Sequence, residues 1–114
     1  MIKKQRSADY HRHLIESLKD PREALEYLKA ALDESDMPEI FLMALRNVAE
    51  ARGFSKLAEH AHLNRESLYR MLSRKGNPAL SSLCAVLDSL GLRLSVEEKK
   101  KPRRSVAEMA RASR

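Results

Sequence analysis

Between Phe54 and Leu72 the chain reads FSKLAEHAHLNRESLYRML, and its polar side chains are of kinds that pair with bases and phosphates. Arg65 and Arg70 each carry a planar fork that fits the O6 and N7 acceptors of guanine, a contact worth about 1–3 kcal/mol of base discrimination. Asn64 and Ser67 can address a base edge or a nearby phosphate. Glu66 can accept from cytosine, or orient Arg70 four residues on. Tyr69 either packs on sugar, phosphate or a thymine methyl, or is a half-buried helix tyrosine. Ser55 and Lys56 before this set, and Arg74, Lys75 and Asn77 after it, suit the phosphate backbone. Together these groups have the chemistry needed to grip duplex DNA and read it from a groove.

Such a set works only if two elements hold it. Leu57, Ala58, Leu63, Leu68 and Met71 have the apolar spacing of two short helices, about 55–61 and 65–72, with small Ala58 where their backbones approach most closely. Asn64 is a good N-cap for the second helix. The tight bend between such helices often takes Gly in a left-handed conformation, and here it holds His62, which tolerates that region at some cost. The same apolar spacing also serves an ordinary helical hairpin. The polar outer side of the second helix, followed by Arg74 and Lys75, favours the DNA-reading alternative.

The rest of the chain predicts further helices. Residues 1–8 are polar and expected to fray, and 9–19 predict a short amphipathic helix using Tyr10, Leu14, Ile15 and Leu18. Asp20, Pro21 and Glu23 predict the start of a helix over 21–33, with Leu25, Leu28, Ala31 and Leu32 on one stripe. Asp36, Met37, Pro38 and Glu39 open another, running to about Arg52 and stopped by Gly53 as a left-handed cap. Asn77 predicts the cap of a last helix, with Pro78 at its first position, Leu80, Leu83, Val86, Leu87 and Leu90 facing inward, and Gly91 at its end. Leu92, Leu94 and Val96 then alternate with Arg93 and Ser95. That is the pattern of a short strand pairing with a second copy or a partner, with a plain extended linker as the alternative. Four segments result: a frayed 1–8, an N-terminal helical 9–36, the DNA-binding 37–96, and a basic, disordered tail at 97–114.

Composition agrees with a polyanion ligand. The net charge is +6, and basic residues number seven against eight acidic ones in 1–36, eight against five in 37–96, and seven against three in 97–114. The excess therefore lies in the reading segment and the tail. A single cysteine, Cys84, allows no internal disulfide, and its apolar helical surroundings predict a buried structural thiol in a reducing cytoplasm. No run approaches the roughly 18 apolar residues of a membrane span, and the first residues hold no apolar signal core. His60 and His62 lack further ligands at metal spacing, so neither a metal nor another cofactor is expected. No Ser, His and acid set or Gly-rich phosphate loop supports an enzyme, and few aromatics offer an RNA-stacking platform.

The blocks YLKAAL at Tyr27–Leu32, ARGFSKLAEHA, RESLYRML, the Gly76–Pro78 GNP and the ending LDSLGLRLSV resemble Xre-family helix-turn-helix antitoxins of the HigA type, the addiction module antidote group, from about Asp20 to Val96. The resemblance implies an all-α, five-to-six-helix lambda-repressor-like domain. It further implies a homodimer that represses its own operon and neutralises a small basic RNase toxin of the HigB or RelE type. Ser55, Lys56, Asn64, Arg65, Glu66, Ser67, Tyr69 and Arg70 match the group's DNA reader, whereas the toxin contact is placed only loosely, in residues 9–36. The basic tail is longer than the group's usual ending and inherits no role from it. A stand-alone regulator resembling phage repressors, with no toxin, is the alternative.

Overall fold

The computed structural model describes residues 2–33, 36–73 and 75–99, which are all-helical, with six helices and no strand. In chain order they are α1 (Ile2–Ser17), α2 (Pro21–Asp33), α3 (Pro38–Arg52), α4 (Phe54–His60), α5 (Arg65–Met71) and α6 (Leu80–Ser89). Helix α3 lies at the centre, packed against α1, α2 and α4, while α4 also packs on α5 and α6. Its apolar stripe dictates this: Leu45, Val48 and Ala49 are fully buried and leave no side of the core to solvent. Leu57 of α4, Leu68 and Leu72 at α5 and Val86 of α6 complete the same core. Burying each such leucine contributes about 1.5–3 kcal/mol.

The N-terminal helices are tied to α3 by polar contacts as well as by Leu18, Ala24 and Leu28. His11 Nε2 lies 3.0 Å from Glu50 Oε2, and Asn47 Nδ2 donates to the Tyr27 hydroxyl at 2.9 Å. Asp20 caps α2 as expected: its Oδ1 accepts from the Arg22 N–H at 2.9 Å, and Pro21, which has no N–H to satisfy, takes the first helical position.

Several expectations need correction. Helix α1 reaches back to Ile2, through the segment expected to fray, because no Gly or Pro interrupts residues 2–17. Tyr10 points outward, 73% exposed, since Leu14 and Leu18 one and two turns on already fill the contact with the core. Met37, not Asp36, occupies the N-cap of α3, one residue before Pro38. Asn77 does not cap the last helix. Pro78 disfavours a helical residue before it, Ala79 is still extended at ψ 146°, and α6 starts at Leu80. Leu80 is 68% exposed, and Cys84, off the inward stripe of Leu83, Val86, Leu87 and Leu90, lies on the solvent side, not in the core. Leu32 is also exposed. Residues 92–99 form no strand: Leu92 packs on the core, while Leu94 and Val96 face outward in irregular backbone that has no neighbouring strand to bond to. The tail from residue 100 and Arg74 lie outside the described residues.

Two backbone positions set the α3–α4–α5 geometry. Gly53 alone separates α3 from α4, at φ +97°, and its N–H donates to the Ala49 and Glu50 carbonyls at 2.9 and 3.2 Å. After α4, His62 takes φ +57°, as its position in the bend predicts. The His62 N–H donates to Glu59 O at 3.2 Å and the Leu63 N–H to Ala58 O at 2.9 Å, the paired bonds of a Schellman ending, with half-buried Leu63 as its apolar contact. Holding a non-glycine residue left-handed costs about 1–2 kcal/mol, part of which Gly regains against its greater freedom in the unfolded chain. His62→Gly should therefore raise stability by about 0.5–1 kcal/mol. His62→Val, β-branched, should lower it by about 1 kcal/mol or more. Urea midpoints of the two variants, moving in opposite directions, are the check.

Candidate nucleic-acid interface

Helix α5 is anchored from within. Leu68 and the following Leu72 are fully buried, and Tyr69 and Met71 pack against the same core, so the polar positions of this seven-residue helix, about 10 Å long, are left on its outer side. Arg65, Glu66 and Arg70 are exposed there, while Ser67 and Tyr69 are half-buried at its margins. Asn64 is the N-cap expected of it: its Oδ1 accepts the Ser67 N–H at 2.7 Å, which leaves its NH₂ as the group able to meet a ligand.

The structure brings Ser67, Arg70, Lys75 and Asn77 to one shallow cleft of about 490 Å³. Its floor is made by an unusually close backbone approach. Gly76 lies directly against the end of α5, so that a Cβ there would collide with the Met71 carbonyl and come within 2.9 Å of Arg70 O. The Gly76 N–H donates to Ser73 O at 2.8 Å and closes the loop. Only Gly lets the segment lie this near the helix, which places Lys75 and Asn77 beside Arg70. Ser55 and Lys56 are exposed on the first turn of α4. Among the described residues no ion pair joins Glu66 to Arg70, so the expected orienting role of Glu66 is not formed in the unbound chain.

Tyr69 is half-buried. Its ring stacks on Phe54 of α4 with centroids 4.1 Å apart and planes inclined by 13°. Such stacked contacts contribute about 0.5–1.5 kcal/mol beyond burial and fix α5 against α4. The Arg65 guanidinium carbon is 5.5 Å from the same ring centroid, and its Nη2 donates to the Tyr69 hydroxyl at a long 3.4 Å. A second guanidinium, that of Arg46 on α3, is also 5.5 Å from this centroid. Sequence reasoning missed Arg46 because it sits at the margin of an apolar stripe in a helix assigned to the core. Its position four residues after Leu42, pointing obliquely out of that stripe, is the one local signal.

The arrangement thus gives an outward-facing helix bearing Arg65 and Arg70, flanked by Lys56 on one element and Lys75 on another. Cations and amides gathered on this face can bind a polyanion and offer two guanidinium forks to base edges.

A family model described as "probable addiction module antidote protein" matches residues 10–98. An uncharacterized protein of Haemophilus influenzae is 36% identical over 83 residues, which span 73% of this chain and 84% of that relative. No solved structure matches significantly. Among the described residues, no helix is long and apolar enough to cross a membrane.

Proposed function

The chain belongs to the family of probable addiction module antidote proteins, and on that premise we propose that it is the sequence-specific DNA-binding antitoxin of a type II toxin-antitoxin module, of the Xre helix-turn-helix kind. It represses its own operon and neutralises a small basic RNase toxin of the HigB or RelE type. The observation that carries the DNA reading is the outer side of α5, where Arg65 and Arg70 stand exposed on a helix locked from within by Leu68. The α4–α5 pair, joined by a left-handed bend at His62, is the helix-turn-helix, and α5 is its recognition helix. Ser55, Lys56, Lys75 and Asn77 hold phosphates, and Arg65, Arg70, Asn64 and Ser67 address bases or the nearest phosphates.

A twofold dimer sets two α5 helices in successive major grooves about 34 Å apart on an inverted repeat. Exposed Leu94 and Val96, after α6, offer that second copy an apolar edge. The antidote match favours a toxin partner over a stand-alone regulator. We place the toxin on the α2–α3 corner. There Leu32 is 59% exposed, and a cleft of about 360 Å³ is bordered by Leu32, Asp36, Met37 and Phe41. Its apolar lining suits an anchor side chain, and Asp33, Asp36 and Glu39 suit a basic partner.

The test is co-expression with any short neighbouring reading frame that encodes a basic protein, followed by co-purification. Leu32→Asp should abolish co-purification and leave affinity for upstream DNA unchanged. Retention of the complex by that variant rejects the assigned surface, and the absence of any complex with the wild-type chain rejects the toxin partner.

A further inference from the structure

Phe54, Tyr69, Arg65 and Arg46 form one cluster drawn from three helices, and no carboxylate takes part in it. Both guanidinium carbons lie 5.5 Å from the Tyr69 centroid, and among the described residues neither arginine pairs with an acid. Gathering two like charges around one ring is unfavourable on its own account. The ring quadrupole offsets part of that repulsion, and an anion between or beside the two groups offsets the rest. The ring itself is braced from one side. Tyr69 cannot swing away, because Phe54 is stacked on it at 4.1 Å, and Arg46 rises from the central helix, whose neighbours Leu45 and Asn47 are held by the core and by Tyr27.

We infer that Arg46 is a phosphate-binding residue of the same surface as α5, and that Tyr69 is a positioning residue that holds Arg46 and Arg65 about its ring for the DNA backbone and the adjoining base. The inference rests on the DNA reading of α5 and extends the contact surface to α3, so that the central helix of the fold grips DNA directly. Tyr69 then acts through its two arginines. Its hydroxyl contributes little, since the bond from Arg65 is long.

The experiment measures affinity for upstream duplex DNA, and for an unrelated duplex of equal length, across a salt series. The proteins are the full-length wild type, Arg46→Ala, Tyr69→Phe, Tyr69→Leu and the double variant Arg46→Ala/Tyr69→Leu, with Lys75→Ala as a reference. Arg46→Ala should weaken both duplexes by a similar factor, about threefold to tenfold, and reduce the salt slope by about 0.9. Tyr69→Phe, which keeps the ring, should bind as the wild type does. Tyr69→Leu should lose affinity and slope despite keeping every charge, and the double variant should lose less than the product of the two single losses. Thermal melts identify any variant that fails to fold, and Arg46→Ala with Tyr69→Phe carries the test if Tyr69→Leu does. If Arg46→Ala retains full affinity and slope while Lys75→Ala lowers both, the inference is wrong and the DNA reading stands. If the wild type binds neither duplex, both are wrong.

Discussion

Gly76→Ala should lower the stability of the protein by about 2–3 kcal/mol, toward the upper end of what forcing an extra methyl into a packed site costs. The obstacle is backbone. The added Cβ meets the Met71 carbonyl, and Arg70 O is 2.9 Å away, so no side chain can rotate aside to make room. Arg70 O also accepts the Ser73 N–H at 3.2 Å and the Ser73 hydroxyl at 2.8 Å, which ties it to the end of α5. Relief therefore requires the loop to lift, carrying Lys75 and Asn77 away from Arg70. Chemical denaturation reads the first effect. A loss of affinity for all duplexes, measured where the variant is still folded, reads the second. Unchanged stability would mean that the loop does not lie against the helix as described.

Arg70→Ala has the other large expected effect, on sequence choice. A guanidinium fork that meets guanine contributes about 1–3 kcal/mol of discrimination, so removing it should cut preference for the operator over unrelated DNA by about fivefold to a hundredfold. Arg70 is exposed, and among the described residues no carboxylate holds it, so folding should be unaffected. Lys75→Ala is the contrast. As a phosphate contact it should weaken operator and unrelated duplexes alike and reduce the salt slope by about 0.9. Titrating both variants against both duplexes separates a base reader from a backbone clamp. An Arg70→Ala protein with intact preference would remove Arg70 from the reader.

The parts of this fold that were legible in the sequence are those decided locally. Asp20 before Pro21, Gly53 between two apolar runs, Asn64 before Arg65 and Gly91 after Leu90 mark helix ends by their own chemistry, and the structure places the ends at or beside them. The core residues Leu45, Leu57, Leu68 and Val86 follow from helical periodicity for the same reason. His62 was legible because a left-handed bend was needed there and no Gly supplied it.

What escaped depends on contacts between distant segments. An Asn-Pro pair reads equally well as a helix start or as an extended approach to one. Here the chain takes the second form, with Gly76 close against the end of α5 and Ala79 still extended before Leu80. The alternation at Leu92, Leu94 and Val96 describes what a strand would look like, whereas forming one needs a neighbouring strand, and there is none among the described residues. Arg46 meets the Tyr69 ring from another helix, a contact that no spacing rule predicts. The residues proposed to read DNA stand out by type, whereas the Phe54–Tyr69 stack and the close Gly76 approach behind them arise only from contacts between distant segments.

On the proposed function, the exposed side of α5 reads DNA. Footprinting on the DNA upstream of the protein's own coding region, with the wild type and Arg70→Ala side by side, tests it most directly. Two protected half-sites about one helical turn apart are expected for the wild type, with Arg70→Ala losing that protection at concentrations where it still binds DNA without preference. Identical footprints from the two proteins, or no protection by the wild type, would contradict it.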